Sequence, residues 1–188
     1  MNNRERHHHR GKTSEGQVDA TMVLEELRLR PGQSVLDAGC GDGYMAKAFA
    51  REVGAKGRVI ALDPDEAAIA RLRGETKGTN LEAIVGDITR RTALPAGSVD
   101  LMYLSNVFHG FAPDELPGFR AEVERLLRPL GRLAVVEFIK EATPCGPPLE
   151  IRCSPSEMRQ LIPLTPLGTV GVGKLFYMQI FVKEGRDS

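Results

Sequence analysis

The sequence predicts an α/β protein built on a single doubly wound, mostly parallel sheet. Three observations carry this. Short apolar segments of strand length alternate with longer segments whose apolar residues recur at helical spacing. The first such strand runs straight into three alternating glycines and then a helix, in Ser34-Val-Leu-Asp-Ala-Gly-Cys-Gly-Asp-Gly-Tyr-Met45. The last two apolar segments lie too close together for a helical crossover, so they should form an antiparallel hairpin.

Residues 1 to 17 show no apolar periodicity and carry His7, His8 and His9 in a basic stretch, which predicts a disordered tail ahead of one domain over 18–188. The histidines read as a tag remnant or a solvated tail. Ala20, Val23, Leu24 and Leu27 recur at i, i+3, i+4 and i+7, predicting a leading amphipathic helix that stops before Pro31-Gly32. Strands are expected at Val35 to Asp37, Arg58 to Asp63, Leu81 to Asp87, Val99 to Leu104 and Arg132 to Phe138. Met45, Ala48, Phe49 and Val53 mark the helix after the glycines, and Ala68, Ile69 and Leu72 mark another around Asp65 to Arg73. Phe119, Val123, Leu126 and Leu127 mark a helix over Pro113 to Arg128, before a strand apolar enough to be buried on both faces. The terminal hairpin is expected from Thr169 to Lys174 and Phe176 to Val182. Five strands joined by helical crossovers make a Rossmann-like sheet, whose ligands sit outside the carboxyl ends of the strands. Periodicity alone leaves the strand order open.

Composition narrows the function. At 188 residues the chain fits one domain of ordinary size. Lys plus Arg and Asp plus Glu both number 25, and no basic patch interleaved with aromatics stands out, so bulk nucleic-acid binding is not expected. No apolar run approaches the roughly 20 residues of a membrane span, and no secretory signal is evident, so a cytoplasmic location is expected. Cys40, Cys145 and Cys153 are too few and too unevenly placed for a disulfide framework, and no spacing suggests a metal site.

The glycine turn carries the most chemistry. Glycines 39, 41 and 43 permit positive φ and let backbone N–H groups approach a ligand that a Cβ would hold away. The spacing is G-x-G-x-G, not the G-x-G-x-x-G of dinucleotide sites. Asp37 immediately before it would sit badly beside a diphosphate and well beside a cationic amino-acid group. In Asp37-Ala-Gly-Cys-Gly-Asp-Gly43 the chain resembles the class I S-adenosylmethionine-dependent methyltransferases, within a small subgroup related to the ubiquinone/menaquinone C-methyltransferases and the arsenite methyltransferases.

That resemblance implies S-adenosylmethionine as cofactor, S-adenosylhomocysteine as its product, and an unidentified small-molecule acceptor. It also implies the terminal hairpin inserting beside the fifth strand. It places the cofactor beside Asp37, Gly39, Cys40, Gly41 and Gly43, with Asp63 and Pro64 at the ribose. Asp87 and Ile88 would lie at the adenine, and Ser105 and Asn106 at the methionine part. Each assignment has a plainer structural counterpart: Asp63 as a helix N-cap ahead of Pro64, and Asp87 as a turn-initiating residue.

The catalytic residues are open. His109 is of a type that can deprotonate an acceptor, yet the reading favoured is a structural or cofactor-shielding one. Phe108 and Phe111 would wall the methyl donor or serve as ordinary core. Cys145 and Cys153 flank a Pro-rich loop at 143–155 and would suit a thiophilic, arsenite-type acceptor, the less favoured reading. Glu137 and Lys140 read as a solvated charged pair. A nicotinamide oxidoreductase and a non-catalytic cofactor-binding or partner protein remain as rivals, and the oligomeric state, monomer or homodimer, is left open.

Overall fold

The computed structural model describes residues 18–185; the expected N-terminal tail, with His7 to His9, lies outside the described residues. Helices α1 (Ala20–Leu27), α2 (Tyr44–Val53), α3 (Glu66–Glu75), α4 (Leu116–Leu126) and α5 (Pro155–Leu161) accompany seven strands. These are β1 (Ser34–Ala38), β2 (Arg58–Asp63), β3 (Leu81–Val85), β4 (Val99–Ser105), β5 (Leu127–Phe138), β6 (Thr165–Gly171) and β7 (Phe176–Val182). They form one sheet in the order β3-β2-β1-β4-β5-β7-β6. Pairing is parallel from β3 through β5, and antiparallel from β5 to β7 and from β7 to β6.

Alternating side chains of the central strands feed two cores, one on each face. Val35, Val59, Leu101, Tyr103 and Val136 pack under α1, α2 and α3 against Val23, Leu27, Phe49, Val53, Ile69 and Leu72. Leu36, Ile60, Met102, Leu104, Leu133 and Val135 pack under α4 and α5 against Phe119, Val123, Leu126 and Met158. The chain visits β2 and β3 on one side of β1, then returns to β4 on the other. That reversal opens a crevice between the carboxyl ends of β1 and β4.

Several local expectations are corrected, among them the start of β5 at Leu127, which was expected in the preceding helix, and the end of β3 at Val85. The β3–β4 connection, residues 86–98, contains no helical crossover. It is a loop held by α4, where the buried Glu122 Oε1 accepts from Thr92 N and Oγ1, both at 2.7 Å, and Arg125 Nη1 donates to Leu94 O at 2.7 Å. Helix α4 starts at Leu116, because a turn closes first with Ala112 N donating to Glu115 Oε2 at 2.8 Å. Strand β6 begins at Thr165 and ends at Gly171, earlier than the pattern suggested. Helix α5 was not expected at all, although Ser154-Pro-Ser-Glu157 is a capping-box signature with proline at its first turn, and both reciprocal capping bonds form.

Candidate active site

The glycine turn sits at the crevice and is shaped by left-handed backbone. Gly39, Gly41 and Gly43 have φ of +79°, +54° and +78°. A Cβ on Gly39 would stand 2.4 Å from Val107 Cγ2, and one on Gly43 would stand 2.6 Å from Leu72 Cδ1, so space as well as φ requires glycine at both. Gly39 N and Cys40 N donate to Leu62 O at 2.7 and 3.1 Å, which pins the turn to β2. Gly41 N donates to Asp63 Oδ2 at 2.9 Å, and Tyr44 N donates to Asp42 Oδ1 at 3.1 Å at the mouth of α2. The Cys40 thiol is buried, and its pKa is pushed up by burial and by the charge of Asp37.

Asp37 ends β1 only 3% exposed, and its Oδ2 has no hydrogen-bond partner. Burial, then the charge of Asp63, pushes its carboxyl up to about 8, with the Ala46 backbone N–H opposing and Asp42 adding to the rise. An orphaned buried carboxylate oxygen beside two more aspartates calls for a cation. An ammonium or sulfonium fits this place and a phosphate does not.

Asp63, at the end of β2, accepts from Gly41 N through Oδ2 and from Asp65 N through Oδ1, the latter at 2.8 Å. Each carboxylate oxygen retains a second acceptor position for a ligand hydroxyl. The N-cap of α3 is Asp65, whose Oδ1 accepts from Ala67 N and Ala68 N at 2.9 and 3.1 Å, so Asp63 is not the cap and Pro64 precedes it. Asp87 forms the turn, its Oδ1 accepting from Thr89 N at 2.8 Å and Thr89 Oγ1 at 2.6 Å, with Arg90 Nε 3.5 Å from Oδ2. Ile88 is buried beside it.

After β4, Asn106 takes a left-handed φ of +58° and its N–H donates to Val136 O at 3.0 Å. Ser105 Oγ is buried beside the Tyr103 hydroxyl, and Asn106 Oδ1 is buried without a partner. A single 3-10 turn, Phe108–Gly110, carries His109, whose Nδ1 lies 2.7 Å from Glu137 Oε2 while its backbone N–H donates to Glu137 Oε1 at 3.2 Å. Both side chains are almost wholly buried, so Glu137 is no solvated partner of Lys140; Lys140 pairs with Glu157 at 2.5 Å. Phe108 and Phe111 pack with Phe119 at centroid distances of 5.1 to 5.8 Å, an aromatic cluster of the α4 core.

The Pro-rich loop is wound around Arg152, whose role no local sequence pattern signals. Its guanidinium donates to the carbonyls of Pro147, Ile139, Glu141 and Cys145 and stands 5.1 Å from the centroid of the Phe138 ring. Cys145 is exposed, whereas Cys153 is buried with its thiol pushed up to about 11 by burial. Such a thiol stays protonated at neutral pH, so the loop presents no thiolate pair. Among the described residues no group of three or more His, Cys, Asp or Glu is placed to hold a metal ion, and no helix is long and apolar enough to cross a membrane.

Residues 35–131 match the family described as "Methyltransferase domain". Among curated proteins, the chain is 36% identical over 128 residues to a ubiquinone/menaquinone biosynthesis C-methyltransferase of Hydrogenovibrio crunogenus, covering 65% of this chain and 48% of that one. It is 34% identical over 119 residues to the nocamycin O-methyltransferase of Saccharothrix syringae, covering 62% and 41%. The chain thus spans about half, or less, of the curated relatives it matches. Among solved structures, a SAM-dependent methyltransferase from Aquifex aeolicus superposes with a TM-score of 0.81 at 27% identity, covering 92% of this chain and 94% of that one. With over half of its length matched to that family and nearly all of it superposing on a solved relative, this chain belongs to the class I S-adenosylmethionine-dependent methyltransferases.

Proposed function

We propose that the protein binds S-adenosylmethionine in the crevice between β1 and β4 and transfers its methyl group to a small-molecule acceptor. The observation that carries this reading is the buried Asp37 carboxylate with its orphaned Oδ2, set beneath three left-handed glycines. When bound, the cofactor supplies an electrophilic methyl group on a sulfonium. The relatives' names support the reading, one a C-methyltransferase and another an O-methyltransferase.

In this reading the glycine turn lets the backbone at 39–43 approach the amino-acid end of the cofactor. Asp63 accepts from the ribose hydroxyls, with Pro64 fixing the turn behind it. Asp87 and Ile88 flank the adenine, and the turn geometry of Asp87 is compatible because Oδ2 faces outward toward Arg90. Ser105 and Asn106 line the methionine part. Glu137 grips His109 through both ring and backbone, which supports a positioning role for His109: it holds the turn whose neighbour Val107 stands against Gly39. Methyl transfer by such a site rests on alignment and exclusion of water. The protonated Cys153 thiol gives no support to a thiophilic acceptor.

The ribose assignment is tested by Asp63→Ala. Loss of a charged acceptor to two hydroxyls should weaken S-adenosylhomocysteine binding by about 1.5–3 kcal/mol, read by calorimetric titration. An unchanged affinity in a folded variant rejects the assignment.

A further inference from the structure

The sheet ends in two different edges. On the outer edge of β3 the outward backbone groups are served by side chains: Arg73 Nε donates to Ala83 O at 2.7 Å, and Leu81 N donates to Thr79 Oγ1 at 3.2 Å. Glu82, paired with Arg58, adds a charge to that strand. Strand β6 forms the other edge. Pro166 and a register shift between Pro166 and Gly168 interrupt its start, and no charged residue occurs in Thr165–Gly171. Val172 N donates to Phe176 O at 3.1 Å, so in this antiparallel ladder Val170 and Gly168 turn their N–H and C=O groups toward β7. Those of Thr169 and Gly171 therefore point outward. Among the described residues no turn or loop backbone hydrogen-bonds to them.

Nothing within the described residues requires Gly168 and Gly171 to be glycine. Neither has a left-handed φ, and a Cβ on either would meet nothing within 4 Å. Glycine weakens a strand interior, and one that the fold itself does not need marks a place where another backbone comes close. Beside them Leu167 stands 58% exposed, an apolar side chain on an edge where charge or proline normally guards. The two ends of the strand carry opposite charges. Glu184 lies beside its start, Oε1 accepting from Thr165 Oγ1 at 3.0 Å, and the exposed Lys174 follows its end in the β6–β7 turn. The N-terminal sequence, residues 1–17, has no apolar residue beyond Met1 to match Leu167.

We propose that the second half of β6 pairs antiparallel with the same segment of a second copy of this chain, continuing the sheet across a two-fold axis. Centred on Thr169, the pairing sets each Leu167 opposite the other copy's Gly171, where no side chain competes for the space. It also brings Lys174 of each copy to the end where the other holds Thr165 and Glu184. One patch serves both copies, as an isologous interface requires, and main-chain bonds supply the affinity while the glycines and end charges set the register. The proposal does not depend on what occupies the crevice between β1 and β4.

The test is sedimentation equilibrium of the full chain from about 1 to 100 μM, the range in which an interface of this small size dissociates. The wild type should pass from monomer to dimer across that range. Gly171→Pro deletes an outward N–H and no bond to β7; with its circular dichroism unchanged, it should associate at least about tenfold more weakly. Lys174→Glu sets two carboxylates together at each end of the interface and should also weaken association about tenfold. Combining Lys174→Glu with Glu184→Lys should return it to within about twofold of the wild type. A wild type that stays monomeric throughout overturns the proposal. A dimer that Gly171→Pro and Lys174→Glu both leave intact is held elsewhere and overturns it as well. Lys174→Glu without effect, or a double variant no tighter than Lys174→Glu alone, overturns the register centred on Thr169.

Discussion

Asp37 ties the stability of the fold to pH. Its carboxyl stands near 8 in the native state, against about 4 in an unfolded chain. Between those values the native protein holds a proton that the unfolded chain has released, so stability falls as pH rises through the window, by up to about 1.4 kcal/mol per pH unit. Glu122 and Glu157 are both held down to about 2, so their contributions are present above the ordinary carboxylate range and are lost only as pH falls toward 2, outside this window. Urea unfolding at pH 5.5 and 8 should therefore show the wild type losing stability relative to Asp37→Asn as pH rises; parallel curves would contradict the assignment. At this scale the placement of Asp37 and Asp63 at the ends of β1 and β2, and of the glycines in the turn between β1 and α2, was legible because strand, acid and turn follow one another directly in the chain. The plainer alternative for Asp63, an N-cap of α3, fails because Asp63 and Asp65 both suit an N-cap locally and the hydrogen bonds choose Asp65.

Long-range polar anchors decide how the elements meet around the site. Glu137 of β5 holds the turn after β4, and Arg152 gathers the carbonyls of the loop that follows β5. Glu137→Ala removes the acceptor of two donors of His109, the ring and backbone N–H groups, in a dry interior; at about 1–3 kcal/mol each, the loss should be about 2–6 kcal/mol. Lys140→Ala removes only a half-exposed pair with Glu157 and should cost no more than about 1 kcal/mol. Chemical denaturation of both variants checks the contrast, and equal losses would contradict it. These anchors escaped the sequence because their partners lie far apart along the chain and a charged residue on an apolar strand gives no hint of its mate. The 86–98 connection was misjudged for the same reason: Glu122 and Arg125 of α4 stabilise it as a loop, and neither belongs to the segment itself.

Taken whole, the molecule assembles its candidate site by topology. The reversal of strand order at β1 and β4 brings the Asp37 turn, Asp63 and the Ser105-Asn106 corner to one crevice, while the β6–β7 hairpin closes the far side of the sheet. The fold class was legible from periodicity, and the hairpin from the lack of room for a helix between two apolar segments. The order of the strands was not, because period-2 and helical patterns carry no information about which strands are neighbours; the family resemblance implied only that the hairpin inserts beside the fifth strand. The glycine spacing at this crevice separates a sulfonium cofactor from a dinucleotide, and one measurement tests that distinction directly: calorimetric titration of a single preparation with S-adenosylmethionine and with NADH. The account predicts saturable, stoichiometric binding of S-adenosylmethionine and no heat of binding from NADH. Binding of NADH, or the absence of S-adenosylmethionine binding by the folded protein, would contradict it.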